Sequence, residues 1–283
     1  MQNIDKRKGL VYDLSMNTKM TYPKYLQILN VMAFVAVIIV NILSNALPLN
    51  GRTAGEISDA LPSFFTPAGY TFSIWGLIYS ALLGFIIYQA LPSQRHNSFI
   101  GRIGWLFIAS SVFNVSWLFA WHYGYYLLSV VLMISLLLTL IAIYQRLEIG
   151  LSNPGLATFD KLLVQVPFSL YLGWITVATI ANVASVLVYG GWDGLGIAGP
   201  VWSAVMMVVA TGVAAVLLFN RRNLTYAAVL VWALVGIRSA HADIPLIANT
   251  ALIAAIVIIV FSIVGTVRTR QYARSIEPGL EMS

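Results

Sequence analysis

Eight long apolar runs, separated by short polar gaps, organise this chain. They cover Tyr25–Leu47, Tyr70–Leu91, Ile103–His122, Tyr125–Tyr144, Leu162–Leu187, Pro200–Phe219, Leu224–Arg238 and Pro245–Val267, the seventh being the shortest. Crossing ~30 Å of hydrocarbon takes about 20 apolar residues as a helix. A barrel strand would instead alternate in and out over about 10 residues, and these runs do not alternate. Each run is therefore predicted to be a membrane-crossing helix. With 59% hydrophobic and 9% charged residues, a water-soluble domain is excluded.

The charges follow the same division. Lys6, Arg7, Lys8, Lys19 and Lys24 precede the first run. Arg95 and Arg102, Arg146 and Lys161, then Arg221 and Arg222 fill the second, fourth and sixth gaps. Arg268, Arg270 and Arg274 follow the last, whereas the other gaps hold only Arg52, with Arg238 at a helix end. Basic residues stay on the cytoplasmic side. The expected fold class is all-α: a polytopic integral membrane helical bundle of eight transmembrane helices with N- and C-termini cytoplasmic. The net charge of +6 thus reports topology, and no separate basic patch suggests nucleic acid. Cysteine is absent, which removes disulfide, thiolate and cysteine–metal chemistry. The first run is too long for a signal-peptide core, so it is expected to stay as an anchor.

The gaps differ in kind. The first, Pro48–Gly69, is the longest external loop, and its Phe64-Phe65 pair could fold over the bundle. The third is nearly absent and predicts a tight hairpin. The fourth carries the turn signal Asn153-Pro154-Gly155. The fifth, Gly190–Gly199, has five glycines in ten residues and is expected to be flexible.

Polar and aromatic residues inside the runs are the candidates for function. Phe72, Trp75 and Tyr79 share one face of the second helix, and Asn114, Trp117 and Trp121 one face of the third. Trp174, Ala178 and Asn182 recur at i, i+4 and i+8 on the fifth. All three stripes fall in the outer half of the membrane. Flat aromatic walls with a few hydrogen-bonding groups suit a flat, mostly apolar ligand. Interfacial anchoring by Trp and Tyr, and helix–helix gluing by Asn, are the competing readings. In the last three spans, Trp202 reads as an interfacial anchor and Arg238 as a local partner of Asp243.

The ordered set Pro67-x4-Phe72-x2-Trp75-x3-Tyr79, Asn114-x2-Trp117 and Tyr171-Leu172-Gly173-Trp174 with Ala178-Thr179 and Asn182 resembles the tryptophan-rich sensory protein family. Its eukaryotic relatives are the translocator proteins, or peripheral benzodiazepine receptors. The resemblance covers about the first five spans and implies a five-helix bundle. It also implies an outward-opening pocket for porphyrins, haem-like tetrapyrroles, sterols or aromatic drugs, with Pro48–Gly69 as its lid. The family usually has Pro before the Tyr matched by Tyr171, where this chain has Leu170, and Pro167 lies one turn earlier. The implied organisation is a tail (1–24), a five-helix bundle (25–187), three additional spans (188–267) and a second tail (268–283).

The expected activity is that of a membrane binding or sensory protein for a planar hydrophobic ligand such as a porphyrin. Phe72, Trp75, Tyr79, Asn114, Trp117, Trp121, Trp174, Ala178 and Asn182 would contact it. A secondary transporter of a small hydrophobic molecule is the alternative, although no Asp or Glu falls within a run to carry ion coupling. An enzyme acting on a pigment or lipid is a further alternative. His96, His122 and His241 are dispersed at run ends, and no metal-ligand spacing occurs. The expected partners are membrane lipids and the ligand, not nucleic acid, with homodimerisation left open. The expected location is a multi-pass position in a bacterial plasma membrane.

Overall fold

The structure is a computed structural model that describes residues 22–276 apart from 48, 62, 152 and 154. Lys6, Arg7, Lys8 and Lys19 of the first tail, Pro154 of the predicted turn, and the side chains of Arg268, Arg270 and Arg274 lie outside the described parts. The described residues are helical, without strands. The long helices are α1 (Lys24–Ala46), α2 (Ile74–Ala90), α3 (Leu106–His122), α4 (Tyr126–Arg146), α5 (Val166–Tyr189), α6 (Gly199–Arg221), α7 (Leu224–Ala240) and α8 (Pro245–Ile276). With their helical extensions, α1, α2, α4, α5, α6 and α8 are long and apolar enough to cross a membrane. α3 and α7 have 17 residues each. At 1.5 Å per residue they reach ~25 Å, the lower limit of a crossing.

Five helices close a ring. α1 touches α2, α2 touches α5, α5 touches α4, α4 touches α3, and α3 returns to α1. α6, α7 and α8 form a triad in which each touches the other two, and α7 docks the triad against α5 of the ring. Glycine permits that docking. A Cβ on Gly173 of α5 would lie 3.0 Å from the Val229 Cβ of α7. One on Gly236 would lie 2.1 Å from Thr71 Oγ1, in the turn that leads into α2. In lipid, where apolar side chains gain little by meeting one another, such small residues let backbones close to contact distance. The Gly236 carbonyl also accepts from the Ala68 N–H at 3.1 Å. One continuous buried cluster runs from Phe85 and Trp174 in the ring to Leu230 and Ile237 in the triad.

The gaps sort onto two ends of the bundle. At one end Arg102 pairs with Glu148 at 3.0 Å, and Gly150 lies against the backbone of Arg221. Gly150 has φ +81, and a Cβ there would overlap the Arg221 carbonyl oxygen. The Tyr22 N–H reaches the Arg95 carbonyl at the same end. At the other end Asn50 donates to the His122 carbonyl at 2.9 Å, Ser203 to the Phe64 carbonyl at 2.6 Å, and His241 meets the Thr66 carbonyl at 3.1 Å. Even-numbered gaps thus gather at one end and odd-numbered gaps at the other.

Three details depart from expectation. The fifth helix begins at Thr158, ahead of Leu162, and places Asp160 in its first turn rather than in a gap. That carboxylate is buried and accepts from Tyr88 Oη at 3.1 Å and Asn97 Nδ2 at 2.9 Å. A π-helical turn over Lys161–Gln165 precedes Pro167, whose missing N–H cannot bond the Leu163 carbonyl. Arg238 is not paired with Asp243: it donates to the Ala248 carbonyl at 3.2 Å, because α8 starts at Pro245 and brings its first turns within reach. The Gly190–Gly199 loop is held rather than free. Asp193 Oδ1 accepts from the Leu195 N–H at 2.9 Å, and the Gly194 carbonyl accepts from Trp202 Nε1 at 2.8 Å.

The glycine contacts make an ordering prediction. Gly236→Ala must displace Thr71 and should cost about 1–3 kcal/mol. Gly212→Ala, with nothing within 4 Å of its Cβ, should leave stability unchanged or slightly raised. Thermal unfolding of both variants in detergent would decide; equal melting temperatures would remove the docking role given to Gly236.

Candidate functional site

The loop between α1 and α2 builds the roof of the site. Asn50 and Gly51 take left-handed φ of 55° and 74° and turn the chain back over the bundle. Thr53 then caps a short helix, Ala54–Ala60, in a reciprocal box: its hydroxyl accepts from the Glu56 N–H, and the Glu56 carboxylate accepts from the Thr53 N–H at 2.7 Å. Those bonds hold the Glu56 carboxyl below the usual carboxylate range. The helix lays Ile57 and Leu61 on Trp121 of α3, and Trp121 Nε1 donates to the Ala54 carbonyl at 3.3 Å. Further along, Phe65 is buried, while Phe64 reaches Gly199 at the start of α6. The loop therefore spans from the ring to the triad.

Beneath this roof, inside the ring, lies a cavity of about 720 Å³. It falls within the range of roughly 300–1,000 Å³ typical of small-molecule sites. Of the residues expected to contact a ligand, Phe72, Trp75, Tyr79, Trp117, Trp121, Trp174, Ala178 and Asn182 all line it. Their rings form two connected groups. Trp75 stacks on Tyr79 at 5.2 Å between centroids and meets Trp174 edge-on at 6.2 Å, and Phe72 meets the same indole at 5.7 Å. Across the cavity Trp117 stacks on Trp121 at 6.1 Å with 17° between planes. Offset and edge-on pairs are the preferred aromatic geometries.

The two amides take different places. Asn182 lines the cavity, accepts from Trp117 Nε1 at 3.2 Å and donates to Ser129 Oγ at 3.1 Å, which ties α5 to α3 and α4. Asn114 is not part of the wall. It is fully buried behind it, donates to Tyr171 Oη at 3.1 Å and accepts from Asn41 Nδ2 at 3.1 Å. A buried amide is costly unless paired, and Asn41 and Tyr171 pair the oxygen and one N–H of Asn114. Tyr79 Oη lies against this network without a well-formed hydrogen bond, and Trp174 Nε1 has no partner among the described residues.

Several lining residues lie outside the aromatic stripes. Asn41, Ser44 and Asn45 of α1 and Ser185 of α5 bring polar groups to the cavity, and Gly55 and Ser58 line it from the roof. The signal for the first three was present, since polar residues recur at i, i+3 and i+4 near the C-terminal end of an otherwise apolar run. Among the described residues no cluster of His, Asp and Glu could hold a metal ion.

A family model described as TSPO-like protein matches residues 27–264, a range that takes in the ring and the triad. No curated protein and no solved structure matches the chain.

The roof should respond to pH through Glu56. Its depressed pKa means that the capping contribution is complete above the ordinary carboxylate range and is lost as pH falls through the lowered folded value. The protection of amides 54–60, measured against their intrinsic exchange rates at each pH, should therefore fall in acid, and Glu56→Ala should show the low protection already at neutral pH. Identical protection in variant and wild type would show that the cap does not hold the roof.

Proposed function

The chain belongs to the TSPO-like protein family, and we propose that it is a membrane binding or sensory protein whose roofed cavity takes a porphyrin or another planar tetrapyrrole. The observation that carries this reading is the meeting of aromatic side chains from α2, α3 and α5 around one cavity of about 720 Å³. A flat conjugated ligand gains from apolar burial, at roughly 25 cal/mol per Å², and from edge and face contacts with the rings. Asn41, Asn45 and Ser185, together with the free Trp174 N–H, supply a few polar contacts that could fix its orientation. Binding rather than acid–base chemistry fits this lining, which includes no His, Asp or Glu.

In this reading all eight helices cross the membrane and both termini are cytoplasmic. The end holding Arg95, Arg102, Arg146 and Arg221 faces the cytoplasm, by the excess of basic residues there. The roof then faces outward, and in a bacterial plasma membrane the ligand would arrive from the outer side.

Titration with a soluble porphyrin, followed by tryptophan fluorescence, tests the site. Quenching should saturate. Trp117→Ala with Trp174→Ala should weaken binding at least about tenfold. Ala178→Trp, which fills the cavity and leaves both indoles in place, should abolish it. Wild-type affinity in the filled variant would place the ligand elsewhere.

A further inference from the structure

A second cavity, of about 420 Å³, lies between α5 and α6 on another face of α5. Its body is apolar, with Ile180, Val183 and Leu187 of α5 and Met206 of α6. The Gly190–Gly199 loop supplies different chemistry: Trp192 and Asp193 line the same cavity, with Trp202 of α6. The two indoles stand 5.4 Å apart at 47° between planes. Two devices fix this corner. Trp202 is held by its bond to the Gly194 carbonyl, and a Cβ on Gly194 would crowd the Trp202 ring at 3.3 Å. Asp193 is held by the Leu195 N–H on one oxygen. No cation lies within ion-pair distance of that carboxylate among the described residues.

Aromatic faces beside a carboxylate, opening onto an apolar trough, match one kind of ligand. A quaternary ammonium is attracted to the negative faces of indoles, and the carboxylate adds a full charge. We propose that this cavity is a second binding site, for a membrane amphipath with a quaternary ammonium head and an alkyl tail drawn from the adjacent leaflet. The head sits against the open faces of Trp192 and Trp202 beside Asp193, and the tail lies along Ile180, Val183, Leu187 and Met206. Phe64 and Phe65 line this cavity while Thr53–Ser58 of the same loop roof the first, so the loop touches both sites.

The test uses the full chain in maltoside micelles with dodecyltrimethylammonium as probe, and adducts are counted by native mass spectrometry. One saturable adduct is expected, with dodecyl sulfate binding far more weakly. Asp193→Asn keeps an oxygen for the Leu195 N–H and removes only the charge, so it should weaken the probe roughly fivefold without unfolding the loop. Trp192→Leu keeps apolar area and removes the π face, and should weaken it roughly 2- to 30-fold. Ala178→Trp, which fills the first cavity, should leave this binding unchanged, which separates the two sites. Equal binding of dodecyl sulfate, or unchanged affinity in both Asp193→Asn and Trp192→Leu, would overturn the assignment.

Discussion

Inside a bilayer a polar group that finds no partner in the protein finds none at all, and that constraint shapes this molecule throughout. It makes every long element a helix. It explains why the amides occur in networks: Asn182 with Trp117 and Ser129, Asn114 with Asn41 and Tyr171, and Asn223 with Tyr144 and Ser169. Each network ties two or three helices together at one height. The ring is thus stitched by the same bonds that remove the cost of its buried amides.

Those stitches also keep the cavity open. A bundle of Leu and Val would close on itself, because nothing would stop the helices from sliding into contact. Here paired indoles stand on opposite sides of the ring, held in edge-on and stacked contacts and anchored through Trp117 Nε1 and Trp121 Nε1. Between the two groups of rings the cavity remains. The short capped helix of the first loop then covers it, with Ile57 and Leu61 on Trp121.

The triad bears on the ring through glycine rather than through bulk. Gly173 and Gly236 bring α7 against α5 and against the start of α2, so that α7 is a wall of the ring's own core. The roof reaches the triad as well, through Phe64 on Gly199 and the bonds to Ser203 and His241. Ring, roof and triad therefore share contacts, and a change on either side of α5 meets the same loop.

Much of this was legible along the chain. Apolar runs of crossing length locate helices because the bilayer's thickness sets their length, and i, i+3, i+4 spacing identifies a face because the helix repeat is fixed. That is how Phe72, Trp75, Tyr79, Trp117, Trp121, Trp174, Ala178 and Asn182 can be grouped from spacing alone. What spacing cannot report is rotation about the helix axis relative to neighbours. Tertiary packing turned Asn114 behind the wall, brought Asn41 and Asn45 of α1 into it, gave Arg238 a carbonyl in place of Asp243, and docked α7 through glycines whose role depends on what faces them. Local sequence determines which residues share a face; only the assembled bundle decides what that face meets, because the deciding contacts join residues far apart in the chain.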